Sequence, residues 1–305
     1  MRSTPHLPAV PSLPAVPRIS IVVPARNEAR NLEAVLPTLP AVHEVILVDG
    51  DSVDDTVATA RRVMPDIVVL TETRRGKGAA LARGFEAATG DVIVMFDADG
   101  SADAAEIPRF VDALLSGADV AKGSRFVLGG GSDDITGIRR LGNWFLNTVT
   151  NVLLGTRYTD LCYGYNAFWA HVVPVLDLVP SSVPAPADGR MLWGDGFEIE
   201  TIINCRVATT GLRVAEVPSV ELPRIHGESN LDAVSDGLRV LRTIFAERGR
   251  GRAVRLPALA PVLVTGGPTT TAPGSPLLAT AAADVAAPAA PAVPVAASST
   301  ARIVA

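Results

Sequence analysis

The first half of the chain alternates short apolar segments with segments of helical length, and this alternation limits the fold more than any other feature. Five apolar segments read RISIVVP, EVILVD, DIVVLT, DVIVMFD and ADVAKGS. The sequences between them predict helices over residues 27–39, with Asn27 as a candidate cap, and over residues 54–63, 77–88 and 105–115. Strands joined by helical crossovers form parallel sheets that are covered on both faces. We therefore expect an α/β fold.

The second half of the chain is less regular but still reads as folded. Its spacing predicts helices over residues 138–154, 196–209 and 230–247, and YGYNAFW and LRVAEVP read as strands. Residues 1–17 repeat LPAVP, and residues 251–305 are rich in Ala, Pro, Thr and Val but poor in bulky side chains. One folded domain over residues 18–250 is therefore expected, between a disordered Pro-rich arm and a disordered tail.

Composition excludes several classes of protein. The 305 residues carry a formal net charge of −5, which argues against a nucleic-acid-binding protein. Cys162 and Cys205 have no metal-binding spacing, so they are expected to be reduced thiols in a cytoplasmic protein. The N-terminal sequence lacks the apolar stretch of a signal peptide, and no segment offers the roughly 20 apolar residues of a membrane span.

Polar residues gather where each of the five predicted strands ends. The segments that follow the strands read, in order, PARNE, DGDS, RRGKG, DADGS and GSRF. In an open α/β sheet, ligands bind beyond the carboxyl ends of the strands, and these segments share that edge. Their residues are therefore the candidates for a ligand site.

The residue types at these strand ends suit a nucleotide that carries a diphosphate. Asp49 can accept hydrogen bonds from a base or a ribose, and Lys77 stands between two glycines that permit a close backbone approach beside a positive charge. Asp97 and Asp99 would repel each other at the end of a buried strand unless a cation accompanies them. Their hard oxygens suit Mg²⁺ or Mn²⁺, which would bridge the phosphates.

Together, VVPARNE, ILVDGDSVDDT, GKGAAL, MFDADGS and GSRF resemble the motifs of family 2 glycosyltransferases. This family has the GT-A fold, a Rossmann-like, mostly parallel sheet with helices on both faces, and DADGS stands where the family has its Asp-X-Asp motif. TDLCYGYNAFW, GDGFEIET and RIHGESN resemble the dolichol-phosphate mannose synthase branch, which moves a sugar from a nucleotide to a polyprenyl phosphate. The resemblance covers residues 18–248.

The resemblance implies roles for individual residues. Those implied to bind the nucleotide are Pro24, Ala25, Asn27, Glu28, Asp49, Asp51, Lys77 and Asp97. Those implied to hold the metal are Asp97, Asp99 and His226, and those implied to contact phosphate are Arg125, Arg224 and Ser229. Two positions depart from the family: Asp49-Gly50-Asp51-Ser52 replaces the usual Asp-Asp-Gly-Ser, and Asn166 stands where the branch often has a basic residue.

The resemblance also implies the reaction, an inverting single displacement in which the acceptor attacks the anomeric carbon as the nucleoside diphosphate leaves. The donor is of the GDP-mannose or UDP-glucose type. A polyprenyl phosphate is already ionised, whereas a soluble hydroxyl acceptor needs a carboxylate base within about 3 Å. Glu198 is the first candidate base and Asp195 the second, with Arg125 as a catalytic cation. Glu198 and Glu200 lie on different faces of the predicted helix, so at most one faces the site.

The predicted helix over residues 138–154 bears on where the protein works. It carries Arg139, Arg140, Trp144 and Phe145, which suit contact with a membrane surface and equally suit a helix packed in the core. The protein is therefore expected in the cytoplasm, either free or at the inner face of the membrane.

Other interpretations of the same residues stay open. Asp97 and Asp99 could cap the next helix, Lys77 and His226 could be surface residues, and Arg125 could form a structural ion pair. DADGS also fits the nucleophile motif of haloacid-dehalogenase-type phosphatases, in which Asp97 would be phosphorylated and Asp99 would act as acid and base. In that class, however, the nucleophile follows the first strand rather than the fourth.

Overall fold

The computed structural model of the chain describes residues 14, 16–227, 233–251 and 262–263. The expected arm over residues 1–17 and the expected tail over residues 251–305 lie almost wholly outside this range, so their disorder stays a prediction. Ser229, an expected phosphate contact, also lies outside the described residues.

Eight of the described strands form one sheet. The strands in chain order are β1 Ile19–Ala25, β2 Glu44–Asp49, β3 Val68–Thr71, β4 Val92–Met95, β5 Val120–Ser124, β6 Gly131–Ser132, β7 Asn166–Trp169, β8 Val214–Pro218, β9 Val220–Glu221 and β10 Val262–Leu263. The sheet has the order β10-β8-β5-β7-β4-β1-β2-β3, and only β7 runs antiparallel to its neighbours β4 and β5. β6 and β9 form a separate parallel pair.

The described helices surround this sheet and pack on one another. They are α1 Ala29–Val35, α2 Thr56–Val63, α3 Lys77–Ala87, α4 Ile107–Leu115, α5 Gly137–Leu154, α6 Val173–Leu176, α7 Ile199–Thr209 and α8 Ala233–Gly251. Helix α3 packs on β1 and β2, and α4 packs on β5, β7 and β8. In the second half, α7 packs against α5, α6 and α8. Within the described residues, none of the helices combines the length and apolar character needed to cross a membrane.

The core extends over both faces of the sheet. Ile21, Val22 and Val23 are consecutive in β1 and all fully buried. Successive side chains of a strand point to opposite faces, so both faces of β1 are covered. This burial explains why the strands read as continuous apolar runs rather than as alternating ones.

The structure confirms the predicted α/β class and its mostly parallel sheet, and it shifts several element ends. Helix α1 begins at Ala29 rather than at residue 27, and Glu28 rather than Asn27 occupies its cap position. Asn27 has a φ of 58°, which lies in the left-handed region outside a helix. The prediction that Asn27 caps the helix is therefore wrong.

Candidate active site

A cavity of about 950 Å³ lies at the carboxyl ends of β1, β2 and β4. Six cationic side chains line it: Arg26, Arg30, Arg75, Lys77, Arg224 and Arg239. Five carboxylates also line it: Glu28, Asp54, Asp97, Asp99 and Asp236. The predicted Pro24, Ala25, Asn27 and His226 belong to the same lining. The structure thus brings most of the sequence-predicted site residues together at the expected edge of the sheet.

The loop after β1 owes its shape to hydrogen bonds with the loop after β2. The Asn27 N–H donates to Ser52 Oγ at 2.9 Å, and Asn27 Oδ1 accepts from the Val53 N–H at 2.8 Å. The Glu28 N–H donates to Thr56 Oγ1 at 2.9 Å. Asparagine tolerates the left-handed backbone of position 27 better than most residues. The two loops therefore form one wall of the cavity.

Asp49 and Asp51 differ in their surroundings, although only Gly50 lies between them. Asp49 is 5% exposed; its Oδ2 accepts from the Ser52 N–H at 3.2 Å, and its buried Oδ1 has no hydrogen-bond partner. Asp51 is exposed and has a φ of 60°, and neither aspartate is among the residues that line the cavity, although Gly50 between them is. A buried carboxylate oxygen without a donor is costly. Asp49 therefore holds an unsatisfied buried acceptor next to Gly50 of the cavity wall, whereas the carboxylate of Asp51 is exposed to solvent.

Lys77 joins the Asp-X-Asp segment to helix α7. Its Nζ lies 2.7 Å from Asp97 Oδ1 and 2.8 Å from Glu200 Oε1. Burial alone lowers the pKa of Lys77, but the charges of Asp97 and Glu200 outweigh that effect and raise it, so the side chain is an ammonium. Burial raises the pKa of Glu200, which Lys77 partly offsets. Of the two acids expected at the start of this helix, Glu200 is the one connected to the site.

The glycines beside Lys77 accommodate the protein's own backbone. The carbonyl of Asp195 accepts hydrogen bonds from the N–H groups of Gly78 at 2.7 Å and Ala79 at 3.3 Å. A Cβ on Gly78 would lie 1.8 Å from the carbonyl oxygen of Gly194, and one on Gly76 would lie 2.0 Å from that of Asp195. The close approach expected at this motif is therefore made by residues 194–195.

The segment after β9 lies over the second acid of the motif. The Ile225 N–H donates to the backbone carbonyl of Asp99 at 3.0 Å, and Arg224 Nε lies 3.6 Å from Asp99 Oδ2. Arg224 also donates to Glu28 Oε1 from both terminal nitrogens, at 2.6 and 3.0 Å. Burial raises the pKa of Glu28, against the opposing effects of Asn31 and Arg224. Arg224 thus links the loop after β1 to the Asp-X-Asp segment.

Asp97 and Asp99 present carboxylate oxygens, the ligand type that Mg²⁺ and Mn²⁺ prefer, to the cavity. Their side chains are 32% and 24% exposed and line the cavity; Asp97 contacts the ammonium of Lys77, and Asp99 accepts hydrogen bonds from Ser101 and lies 3.6 Å from Arg224. His226 lines the same cavity. No group of three or more His, Cys, Asp or Glu side chains in the described part of the chain has the arrangement of a metal site. The two acids therefore fit a divalent cation only as part of its ligand set, and their use as metal ligands stays a prediction.

Neither candidate base lines the cavity. Glu198 is 5% exposed; its Oε1 accepts from the N–H groups of Gly194 and Gly196, and its Oε2 lies 3.8 Å from Arg239. Asp195 is 2% exposed and lies 3.4 Å from Arg74. Burial raises the pKa of Asp195. Both acids hold together the loop before α7, and as bases they stay predictions that this placement does not favour.

Arg125 likewise does not reach the cavity. Its Nε donates to Asp160 Oδ2 at 2.7 Å, and its Nη1 donates to Glu221 Oε2 at 3.0 Å, all within the protein interior. Its guanidinium also lies over the ring of Tyr163. The structure thus shows the ion pair that the sequence left open as an alternative to phosphate contact.

Four cavity arginines, Arg26, Arg30, Arg75 and Arg239, were not predicted from the sequence. Arg239 pairs with Glu198 and Asp236, whereas the other three form no ion pair with another described residue. Arg26 and Arg75 stand inside the motifs PARNE and RRGKG. Their positive charge at a strand end was a usable signal, because a diphosphate needs several cations around it.

Comparisons with known proteins agree with this geometry. Glycosyl transferase family 2 matches residues 20–173. The chain is 32% identical to the undecaprenyl-phosphate mannosyltransferase of Micrococcus luteus, over 78% of this chain and 99% of that protein. It is 33% identical to the polyprenol monophosphomannose synthase of Mycolicibacterium smegmatis, over 77% and 88% of the two chains. These relatives fall in the branch that the motifs predicted.

Among solved structures, glucosyl-3-phosphoglycerate synthase from Mycobacterium tuberculosis, in complex with Mn²⁺, UDP and phosphoglyceric acid, superposes with a TM-score of 0.58. The matched region covers 76% of this chain and 79% of the chain of that structure, and the two sequences are 23% identical there. This likeness shows the GT-A fold predicted from the sequence. Because the family matches half of the chain, and relatives of this identity match along most of their length, the chain belongs to glycosyl transferase family 2.

Proposed function

We propose that the chain transfers a sugar, in the first instance mannose, from a nucleoside-diphosphate donor to a polyprenyl phosphate, with inversion at the anomeric carbon. The observation that carries this proposal is a single cavity that holds both acids of the Asp-X-Asp motif and six cationic side chains. The names of the relatives from Micrococcus luteus and Mycolicibacterium smegmatis support the choice of sugar and acceptor.

The nucleoside would bind between the loops after β1 and β2. There Asp49 Oδ1 is buried without a donor, while Ala25 and Gly50 line the adjoining cavity wall. An N–H of a base or a ribose hydroxyl would satisfy this oxygen. Either UDP or GDP can supply such a donor.

Asp97 and Asp99 would hold Mg²⁺ or Mn²⁺, with His226 as a further candidate ligand. The related fold solved with Mn²⁺ and UDP supports this use of the motif. When bound, the ion supplies positive charge that stabilises a leaving diphosphate. Asp97 and Asp99 now contact Lys77 and Arg224, so both acids already lie in a cationic environment.

An ionised acceptor suits the cavity better than a hydroxyl does. Every described carboxylate that lines the cavity already has a hydrogen-bond or ion-pair partner: Glu28 with Arg224, Asp54 with Thr56, Asp97 with Lys77, Asp99 with Ser101, and Asp236 with Arg239. A hydroxyl acceptor needs a carboxylate that can take its proton. A phosphate acceptor needs none, and Arg26, Arg30 and Arg75, which form no ion pair within the described part of the chain, can bind its charge.

In this reaction a phosphate oxygen of the acceptor forms a bond to the anomeric carbon. The bond from that carbon to the donor diphosphate breaks, and its electron pair leaves with the nucleoside diphosphate. Lys77 and Arg224 lie beside the two acids that would meet this diphosphate. Their role would be to orient it and to stabilise its charge.

Thermal unfolding with GDP, UDP, GDP-mannose and UDP-glucose, each with and without Mn²⁺, tests the donor. We expect one nucleotide series to raise the melting temperature, and Mn²⁺ to increase the shift. Labelled sugar should then transfer to undecaprenyl phosphate but not to 3-phosphoglycerate. Transfer to the soluble acceptor alone would reject the lipid acceptor and favour the hydroxyl mechanism.

Membership of family 2 leaves the phosphatase alternative without support.

A further inference from the structure

Helix α8 presents an oppositely charged pair of side chains to the cavity. Asp236 and Arg239 are one turn apart on this helix, and both line the cavity. Arg239 Nη1 lies 3.7 Å from Asp236 Oδ1, and the two side chains are 40% and 13% exposed, the arginine more than the aspartate. A carboxylate has several acceptor positions, so one partner does not close Asp236 to a ligand. A ligand in the cavity can therefore meet a donor and an acceptor here.

A buried carboxylate holds Arg239 from behind the cavity wall. Glu198 does not line the cavity, and its Oε2 lies 3.8 Å from Arg239 Nη1. Its Oε1 accepts from the N–H groups of Gly194 at 3.2 Å and Gly196 at 3.4 Å, which fixes the carboxylate. Oε2 has no hydrogen-bond partner among the described residues. At 3.8 Å the ion pair is too long for a hydrogen bond, so Glu198 attracts the guanidinium without occupying its N–H donors.

Glycine at position 196 allows these groups to meet at the cavity wall. Gly196 lines the cavity, and a Cβ there would clash with Glu198 Oε2 and lie 3.2 Å from Arg239 Nη1. Phe197 follows in the chain, lines the same cavity and is 39% exposed. This part of the wall thus combines an aromatic ring with hydrogen-bonding groups.

The charges at this part of the wall do not suit a phosphate. Arg239 lies between two carboxylates, whereas Arg26, Arg30 and Arg75 form no ion pair within the described part of the chain. A phosphate at Arg239 would also meet the negative charge of Asp236. An uncharged hydroxyl avoids this repulsion, and because it both donates and accepts, it matches a carboxylate beside a guanidinium.

We infer that Arg239 and Asp236 bind hydroxyl groups of the donor sugar, and that Glu198 is a positioning residue that orients Arg239 for this contact. The inference rests on the proposed function, because it takes the donor to be a nucleotide sugar. The ribose of such a donor belongs with the nucleoside, between the loops after β1 and β2, which leaves the hexose for α8. A hexose also has apolar C–H faces, which the ring of Phe197 can contact.

Isothermal titration of the full chain in the presence of Mn²⁺ tests this sugar subsite. The ligands are GDP and GDP-mannose and, in parallel, UDP and UDP-glucose. We expect Arg239→Met and Asp236→Ala each to weaken binding of the sugar nucleotide about tenfold and to change binding of the free diphosphate by less than about twofold. Glu198→Gln should cause a smaller loss of the same kind. Glutamine keeps an oxygen for the two glycine N–H groups but lacks the charge that attracts Arg239.

Two matched controls separate the subsite from general effects of charge and burial. Arg242→Met removes the same charge from α8, at an exposed position that does not line the cavity. Glu72→Gln changes another buried carboxylate outside the cavity lining: Glu72 is 4% exposed, its Oε1 accepts from the Arg74 N–H, and its Oε2 has no partner among the described residues. Both controls should bind each ligand as the wild type does.

The outcomes separate the subsite from the reaction. Equal losses for the sugar nucleotide and the free diphosphate in Arg239→Met would overturn the subsite, because the arginine would then contact phosphate or support the fold. A selective loss as large in Arg242→Met as in Arg239→Met would overturn it as well. If the wild type binds none of the four ligands, the proposed function fails and the inference with it. A selective loss in the α8 variants, combined with no wild-type transfer to undecaprenyl phosphate, would support the subsite and reject only the proposed acceptor.

Discussion

The ammonium of Lys77 contacts both carboxylate oxygens of Asp97, at 2.7 and 2.9 Å. The same ammonium lies 2.8 Å from Glu200, which is 5% exposed. Gly164 lies directly over this group, since a Cβ there would come within 2.8 Å of the Lys77 nitrogen and 3.2 Å of Asp97 and Glu200. Two acids from distant parts of the chain thus depend on one cation.

Replacing Lys77 should therefore destabilise the fold as well as the site. Lys77→Met leaves Glu200 buried without its counterion, which should lower the free energy of unfolding by about 3 kcal/mol or more in urea titrations. The double variant Lys77→Met/Glu200→Gln removes the stranded charge and should recover most of this loss without recovering sugar transfer. If Lys77→Met alone is as stable as the wild type, the contact between Lys77 and Glu200 does not hold α7 in place.

Asp99→Asn should abolish transfer while the fold is retained. The amide keeps an oxygen for the Ser101 hydroxyl, now 2.7 Å from Asp99 Oδ1, but it lacks the charge that a divalent cation needs. The melting temperature without ligand should stay unchanged, and Mn²⁺ should no longer increase the shift produced by the nucleotide. Ser101→Ala, which removes only the hydrogen bond, is the control. Normal turnover and normal Mn²⁺ dependence in Asp99→Asn would reject the metal assignment.

Asp49→Asn should weaken nucleotide binding about tenfold or more. The variant places an NH₂ group where Asp49 Oδ1 now stands without a partner, and that group cannot accept the proposed hydrogen bond from the nucleotide. Isothermal titration with GDP and UDP in the absence of metal isolates this contact. Asp51→Asn is the matched control: Asp51 is exposed, and asparagine tolerates its φ of 60°. Equal losses in the two variants would mean that Asp51, too, contacts the nucleotide.

Gly78→Ala should unfold at a lower urea concentration than the wild type. Its methyl group would meet the Gly194 carbonyl at 1.8 Å and push residues 194–195 off the start of α3, at a cost of about 1–3 kcal/mol. Gly142→Ala offers the contrast, because that glycine lies within α5 with nothing within 4 Å. There alanine should stabilise the chain by about 0.5–1 kcal/mol. Equal effects at both positions would contradict the tight contact at Gly78.

Acid should weaken the fold partly through Glu44. Burial raises the pKa of Glu44, but its hydrogen bonds from Ser20 and Thr89 outweigh burial and hold the pKa below 4.5. A carboxyl with a lowered pKa stabilises the fold above its unfolded pKa, and this contribution is lost as the pH falls through its folded pKa. Thermal unfolding from neutral pH to below 4.5 should therefore show a shallower decline for Glu44→Gln. An identical pH profile would mean that other acids carry the effect.

The alternation of apolar and helical segments was enough to predict the strands β1 to β5 and the edge at which the site lies. It could not predict that β7 runs antiparallel, because a four-residue strand carries no signal of its direction. Tertiary packing decides that direction, by placing β7 between β4 and β5.

Site residues were predictable where the chemistry is local and less so where it depends on distant partners. Asp97, Asp99 and Lys77 follow directly from their motifs. Arg125 does not, because its partners Asp160 and Glu221 lie 35 and 96 residues away. The choice of Glu200 over Glu198 depends on where α7 begins: Glu198 occupies the cap position and Glu200 the first turn.

The reversed direction of β7 changes which end of that strand reaches the site. A parallel strand ends at the site edge, whereas β7 begins there, so that the residues before it, including Gly164, close over Lys77. The loop that enters the site from this side therefore connects α5 to β7. It is not part of a crossover between two parallel strands. The sheet thus gains a loop whose residues, Asp160 and Gly164 among them, support Arg125 and cover Lys77 without altering the order of the parallel strands.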